Sequence, residues 1–81
     1  MKDLEITWVD GVSQTMLDSG GKAMDVTVIV SNPSDRWELT IKAPNHWTLH
    51  GIVEGIKNGC GAAGIIPAKI EFIKASVTIL N

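Results

Sequence analysis

The spacing of the apolar residues changes at residues 43–44, and this change limits the folds open to the chain. Before it, apolar and polar residues alternate in short segments, the period-two pattern of a strand with one buried face. After it, apolar residues recur at i, i+3, i+4 and i+7, on one side of a helix. These residues are Leu49, Ile52, Val53 and Ile56. The sequence therefore predicts an α+β fold.

Four strands are predicted before the helix, over residues 4–9, 12–17, 23–31 and 37–42. Asp10-Gly11 follows the first and is typical of a two-residue hairpin turn. Asn32-Pro33-Ser34-Asp35 ends the third, because Pro presets a turn while Asn and Asp bond their own backbone. We therefore expect an antiparallel β-meander of four strands.

One amphipathic helix is expected over residues 46–58, packed on this sheet through its apolar stripe. Asn45 is the expected N-cap, and Gly59 is the expected left-handed residue after the helix. Pro and Gly at the two borders separate the helix from the strands on either side.

A C-terminal strand over residues 69–80 is expected to complete the order β-β-β-β-α-β, and residues 1–81 are expected to form a single domain. In it, Ile70 and Phe72 lie out of phase with the later apolar residues. A β-bulge at Ile73–Lys74, or a division into two strands, reconciles the two registers.

The two periodicities also predict which residues form the core. The expected core residues are Trp8, Val26, Val28, Trp37, Leu39, Ile41, Leu49, Ile52, Val53, Ile56, Val77 and Ile79.

The chain is apolar for its size, with 44% hydrophobic residues among 81. A domain this short buries only about 60–65% of the surface that its unfolded chain exposes. Some apolar surface is then left over, and such surface commonly contacts another chain. We therefore expect a homo-oligomer.

Charge and targeting signals limit the partners and the location. Seven basic and nine acidic residues are scattered without a cluster, which disfavours nucleic-acid binding. No apolar run approaches the ~20 residues of a membrane span, so no membrane partner is expected. Met1-Lys2-Asp3 has no hydrophobic segment behind it, and one cysteine cannot form an internal disulfide. Cytoplasm is the expected location.

The segment Gly59-Cys60-Gly61-Ala62-Ala63-Gly64 matches the pattern G-x-G-x-x-G. A dinucleotide site needs these glycines after a strand and before a helix, whereas here they follow the helix. The favoured interpretation is a helix C-cap and a return loop. The alternative is a ligand-contacting loop in which the backbone N–H groups at Gly59, Gly61 and Gly64 form an anion nest.

His46 and His50 are four residues apart, so on a helix they lie on one ridge, and Cys60 follows the helix. Two such histidines can bind zinc, with Cys60 as a further candidate ligand. The glutamate that a metalloprotease carries after its first histidine is absent, since Trp47 stands there. The same three residues are the candidates for a small Cys/His enzyme, although Cys60 is expected to be a passive thiol.

Two glycines, Gly51 and Gly55, fall inside the helix, where each costs about 1 kcal/mol relative to Ala. On a helical projection they lie opposite the apolar stripe, beside Trp47. This bare surface predicts close approach by a second subunit, a partner protein or a planar ligand stacked on Trp47. The alternative is an ordinary surface helix that tolerates its glycines.

The sequence thus predicts a non-enzymatic binding protein, such as an inhibitor or sequestering protein, with no cofactor. It is expected to be a small homo-oligomer holding a partner protein or a small anionic ligand such as a nucleotide. The predicted binding residues are Trp47, Gly51, Gly55, Gly59, Gly61 and Gly64. A small Cys/His enzyme or metal-binding protein, and a structural subunit of a larger particle, are the alternatives.

Overall fold

Four strands and two helices follow one another in the computed structural model, which describes residues 4–78. They are β1 (Glu5–Trp8), α1 (Val12–Asp18), β2 (Met24–Ser31), β3 (Arg36–Ala43), α2 (Leu49–Ala62) and β4 (Lys69–Val77). The α+β class is confirmed, but the expected order of elements was wrong. Within residues 4–78, neither helix is long and apolar enough to cross a bilayer.

The sheet is mixed, not an antiparallel meander. Its strand order is β1-β4-β2-β3, with β1 parallel to β4 and β2 antiparallel to both of its neighbours. The first connection is a helix, which allows β1 and β2 to lie apart with β4 between them. Through this insertion β4 places the fully buried Ile70 and Phe72 at the centre of the core.

Residues 12–17 belong to helix α1, and the prediction of a strand there was wrong. Val12 and Met16 are both buried and lie one helical turn apart, so this spacing fits a helix as well as a strand. Thr15 Oγ1 donates to the Gly11 carbonyl at 2.8 Å. Gly11 itself has φ 86 and starts the helix in place of a hairpin turn.

The hairpin between β2 and β3 is confirmed. Asn32 Oδ1 accepts hydrogen bonds from the N–H groups of Ser34 and Asp35, at 2.9 and 2.8 Å. The strands pair from Ser31 opposite Arg36 onward. A turn built on Asn side-chain bonding is the local reason that the sequence signal succeeded here.

The expected β-bulge in β4 is also present, and β4 is one continuous strand. Thr27 pairs with Lys74 while the next residue, Val28, pairs with Phe72, so Ile73 is the extra residue. The bulge lets β4 bury Phe72 on one side of the shift and keep Ala75 half-buried on the other.

Helix α2 begins three residues later than expected because Thr48, not Asn45, is its N-cap. Thr48 Oγ1 accepts a hydrogen bond from the Gly51 N–H at 3.0 Å. Asn45 lies in the turn that precedes this cap.

The helix also ends later, at Ala62, so residues 59–62 are helical and not the start of a loop. Cys60 is buried one turn beyond Ile56, which extends the apolar stripe and explains the extra turn. The left-handed residue is Gly64, with φ 79, and not Gly59.

Both helices pack on one face of the sheet, and together they bury a single apolar cluster. Trp8 stacks on Phe72 within it, with ring centroids 4.3 Å apart.

Of the predicted core, Leu39, Leu49 and Val77 are exposed, and residue 79 lies outside the described residues. Five predicted residues are buried: Val26, Val28, Ile52, Val53 and Ile56. Three more, Trp8, Trp37 and Ile41, are partly buried against the cluster.

Replacing isoleucine by valine at one buried and one exposed position tests this core. Ile70 is fully buried and Ile66 is 84% exposed. We expect Ile70→Val to lower the free energy of unfolding by about 0.5–1.5 kcal/mol, because a buried methyl is lost. Ile66→Val is the matched control and should change it by less than about 0.5 kcal/mol. Urea denaturation measures both, and equal effects would contradict the assigned core.

Candidate functional site

An apolar part of the sheet remains uncovered beside helix α2. The residues of β3 that face α2 lie directly opposite the buried valines of β2, and opposed residues share a face. These pairs are Trp37 with Val30, Leu39 with Val28, and Ile41 with Val26. The valines are fully buried, but Leu39 is 36% exposed and Trp37 and Ile41 are half-buried. The helix therefore shields β2 and leaves β3 open.

The space between α2 and this face of β3 is a groove, called here the α2–β3 groove. Its main section has a volume of about 310 Å³ and lies between Trp37, Leu39 and Ile41 on one side and Gly55 and Gly59 on the other. A second section of about 340 Å³ shares Ile41 and Gly55 and continues to Trp47. The two sections adjoin at Ile41 and Gly55, and the main section is apolar whereas the second also includes polar residues.

The glycines of α2 form the helix wall of this groove. A Cβ atom added to Gly55 or Gly59 would meet no neighbouring atom within 4 Å, and neither residue has positive φ. Backbone strain and local crowding therefore do not require glycine at these positions. Because Gly55 and Gly59 have no side chains, the space between α2 and β3 is left unfilled.

The other predicted binding glycines have local explanations. A Cβ on Gly51 would lie 3.2 Å from Thr48 Oγ1, the atom that caps the helix. Gly64 has φ 79 and reverses the chain after the helix. Gly61 is exposed in the last turn of α2. Gly55 lies on the flank of α2 beside Leu39 and Ile41 of β3, and not opposite the apolar stripe as expected. Of the predicted binding residues, the groove brings together Trp47, Gly51, Gly55 and Gly59.

Trp47 lies at the end of the groove, with its ring held in place. The indole Nε1 donates to the Lys22 carbonyl at 3.0 Å, and the side chain is half-buried against the core. On its other side the ring lines a separate depression with Leu17 and Leu49, both exposed. Trp47 therefore acts as a fixed end wall of the groove.

Charged groups play little part in the groove. Lys42 and His46 line only its second section. The anion nest that was the alternative interpretation of residues 59–64 has lost its basis, because residues 59–62 are helical. Their N–H groups direct along the helix axis toward preceding carbonyls and do not converge on a ligand.

The proposed histidine ridge is not formed. His46 lies in the turn before the N-cap, where its Nδ1 is 3.3 Å from Asn45 Oδ1, and only His50 is helical. Cys60 is ten residues beyond His50 on the same helix, a rise of about 15 Å. Across residues 4–78, no three His, Cys, Asp or Glu side chains are grouped so that they could hold a metal ion.

Cys60 is a buried free thiol that lines the α2–β3 groove. The groove residues that sequence reasoning missed are Trp37, Leu39 and Ile41, which the alternation pattern assigns to the core. Their period is correct, but alternation carries no signal that β3 is an outer strand. Position in the sheet, and not residue type, makes them available for binding.

Comparison with known proteins does not assign the chain to a family. No family model matches the sequence, and neither the curated proteins nor the solved structures yield a match.

Two alanine substitutions test the different roles given to the glycines. Gly55→Ala should raise the free energy of unfolding by about 1 kcal/mol, the usual helix-propensity gain at an unhindered site. Gly51→Ala should gain less, because its Cβ crowds the Thr48 cap at 3.2 Å. Urea denaturation compares the two. A loss of stability in Gly55→Ala, or an equal gain in both, would contradict the assigned roles.

Proposed function

We propose that this protein is a non-enzymatic binding module whose α2–β3 groove holds an apolar segment of a partner protein. The observation that carries the proposal is the glycine wall. Gly55 and Gly59 lower helix stability, a Cβ atom at either position would meet no atom within 4 Å, and both residues line the groove with Leu39 and Ile41. Occupation of the groove would bury this apolar face and so offset the cost of the bare helix.

The composition of the groove favours an apolar segment over a small anionic ligand such as a nucleotide. Its main section is lined by aliphatic residues, Trp37, Cys60 and the glycines, without a charged side chain. A phosphate would need N–H groups or cations directed at it. The α2 residues that line the two sections run from Gly51 to Cys60, about 14 Å along the helix axis, which suits a short peptide segment.

The wider proposal is a homo-oligomer, which the surplus of apolar residues favours, and its proposed location is the cytoplasm. Exposed Leu17, Leu49 and Ile66 add to that surplus. Among the alternatives, a Cys/His enzyme or metal protein would have to work with His46, His50 and Cys60 dispersed along the chain. A structural subunit of a large particle predicts an open-ended assembly, whereas a binding module predicts a small oligomer of fixed size.

Filling the groove with a leucine tests the proposal. Gly55→Leu should keep the fold, since Leu forms helix better than Gly, and should occupy the space between α2 and β3. Gly61→Leu is the matched control, because Gly61 is helical, exposed and equally free of neighbours. The first probe is the neutral fluorophore N-phenyl-1-naphthylamine, followed by fluorescence titration.

Wild type and Gly61→Leu should bind the fluorophore alike, and Gly55→Leu about tenfold more weakly, a loss of about 1.4 kcal/mol. Native mass spectrometry of the three forms, isolated from the protein's own cells, extends the test to the partner. A polypeptide bound to wild type and Gly61→Leu should be absent from Gly55→Leu. Equal binding by all three forms in both measurements would refute the groove as the site.

A further inference from the structure

Strand β3 is a long outer strand. In the order β1-β4-β2-β3 the two edges are β1 and β3. β1 has four residues, and such short edges resist pairing with other chains. β3 has eight residues, Arg36–Ala43, without a proline or a register shift against β2. A long, regular edge of this kind is a template for another strand.

The backbone groups at this free edge can be assigned. The Asn32 N–H donates to the Asp35 carbonyl at 2.9 Å, so this pair of the hairpin is hydrogen-bonded. Hydrogen-bonded and non-hydrogen-bonded pairs alternate along antiparallel strands. Every second residue of β3 therefore directs its N–H and C=O away from β2. These residues are Arg36, Glu38, Thr40 and Lys42.

The side chains of these residues are self-complementary about Thr40. Glu38 lies two residues before Thr40 and Lys42 two residues after it, all three exposed. If a second copy pairs antiparallel with Thr40 opposite Thr40, Glu38 of each copy lies opposite Lys42 of the other. Opposite charges in directly opposed positions stabilise a sheet, and the two-fold symmetry forms this pair twice.

We propose that β3 pairs with β3 of a second copy in this register, joining two four-stranded sheets into one of eight strands. On the face toward α2, Leu39 of one copy lies opposite Ile41 of the other. Trp37 lies opposite Ala43, so a large side chain meets a small one. The apolar face of β3 is thereby continued across the two-fold axis.

Other registers lack this complementarity. Displacement in one direction places Arg36 opposite Lys42, or Glu38 opposite Glu38, and like charges directly opposed destabilise pairing. Displacement in the other direction places Lys42 opposite Thr40 and Glu38 opposite Pro44, so neither charged side chain lies opposite a residue of the other sign. The charges of β3 thus select both the partner, a second copy of this chain, and the register.

The β3 pairing gives a structure to the homo-oligomer that is part of the proposed function. It rests on that part of the proposed function and not on binding of a partner in the α2–β3 groove. A two-fold axis through paired antiparallel strands is perpendicular to the sheet, so both α2–β3 grooves open on the same face. They share one apolar floor made by the two β3 strands. The grooves stay accessible in the dimer, because the contact is made through the edge of the sheet.

Charge reversal tests the register directly. Sedimentation equilibrium should give a dimer for the wild type. Glu38→Lys places lysines opposite Lys42 at two symmetric positions and should weaken the dimer about tenfold or more. Lys42→Glu should do the same with glutamates. The double variant E38K/K42E restores both opposite-charge pairs and should recover most of the wild-type affinity.

Asp10→Lys is the control, since it makes the same change of charge at an exposed turn distant from β3, and it should stay dimeric. Circular dichroism of every variant verifies folding, because Lys42→Glu also places a carboxylate opposite Asp25 of β2. A monomeric wild type, a dimeric Glu38→Lys, or a monomeric double variant each overturns the proposal.

The test of the β3 pairing can fail or succeed independently of the test of binding in the α2–β3 groove. Gly55→Leu should remain a dimer, and monomeric Glu38→Lys should still bind N-phenyl-1-naphthylamine. A dimer that resists charge reversal while Gly55→Leu abolishes fluorophore binding would refute the β3 pairing and leave the groove intact.

Discussion

The structure depends on how much of the sheet helix α2 can cover. A helix packed on a sheet shields a strand to its side only through side chains that reach over that strand. On the side of α2 toward β3, Gly55 and Gly59 carry no side chain. The helix therefore buries the residues of β2 and β4 beneath it and leaves Leu39 and Ile41 in contact with solvent. The α2–β3 groove therefore exists because α2 lacks side chains at these two positions.

Local patterns in the sequence predict those parts of the fold that local chemistry determines. The β2–β3 hairpin follows from Asn32, whose side chain organises the turn. The bulge at Ile73 follows from the phase change between Phe72 and the later apolar residues. The side of α2 that packs on the sheet follows from helical spacing alone.

The remaining features depend on long-range pairing, which periodicity does not encode. Alternation in β4 gives its buried face but not its place between β1 and β2. Val12 and Met16 satisfy both the strand and the helix period, so the seven-residue α1 was assigned wrongly. For the same reason the site was predicted only in part: Gly55 was identified from its cost in a helix, whereas Leu39 was placed in the core.

The groove and the outer edge of β3 make different demands on a partner. The groove offers apolar surface of fixed width, bounded at one end by Trp47, whose indole is hydrogen-bonded to the Lys22 carbonyl. The edge offers backbone groups and alternating charges, which select register more than affinity. A protein that uses both can assemble with itself through the edge and still present its apolar face to a second polypeptide. Neither role requires a titrating side chain or a metal ion.

The central claim is that the face of β3 toward α2 is open to solvent in the isolated protein. Solvent paramagnetic relaxation enhancement of methyl resonances by NMR tests it without a substitution. A soluble paramagnetic agent should relax the methyl groups of Leu39 and Ile41 more strongly than those of the fully buried Val26 and Val28, and Leu39, at 36% exposure, should lie between these valines and Leu17, at 75%. If Leu39 and Ile41 were as protected as the two valines, α2 would cover β3, and the groove would not exist.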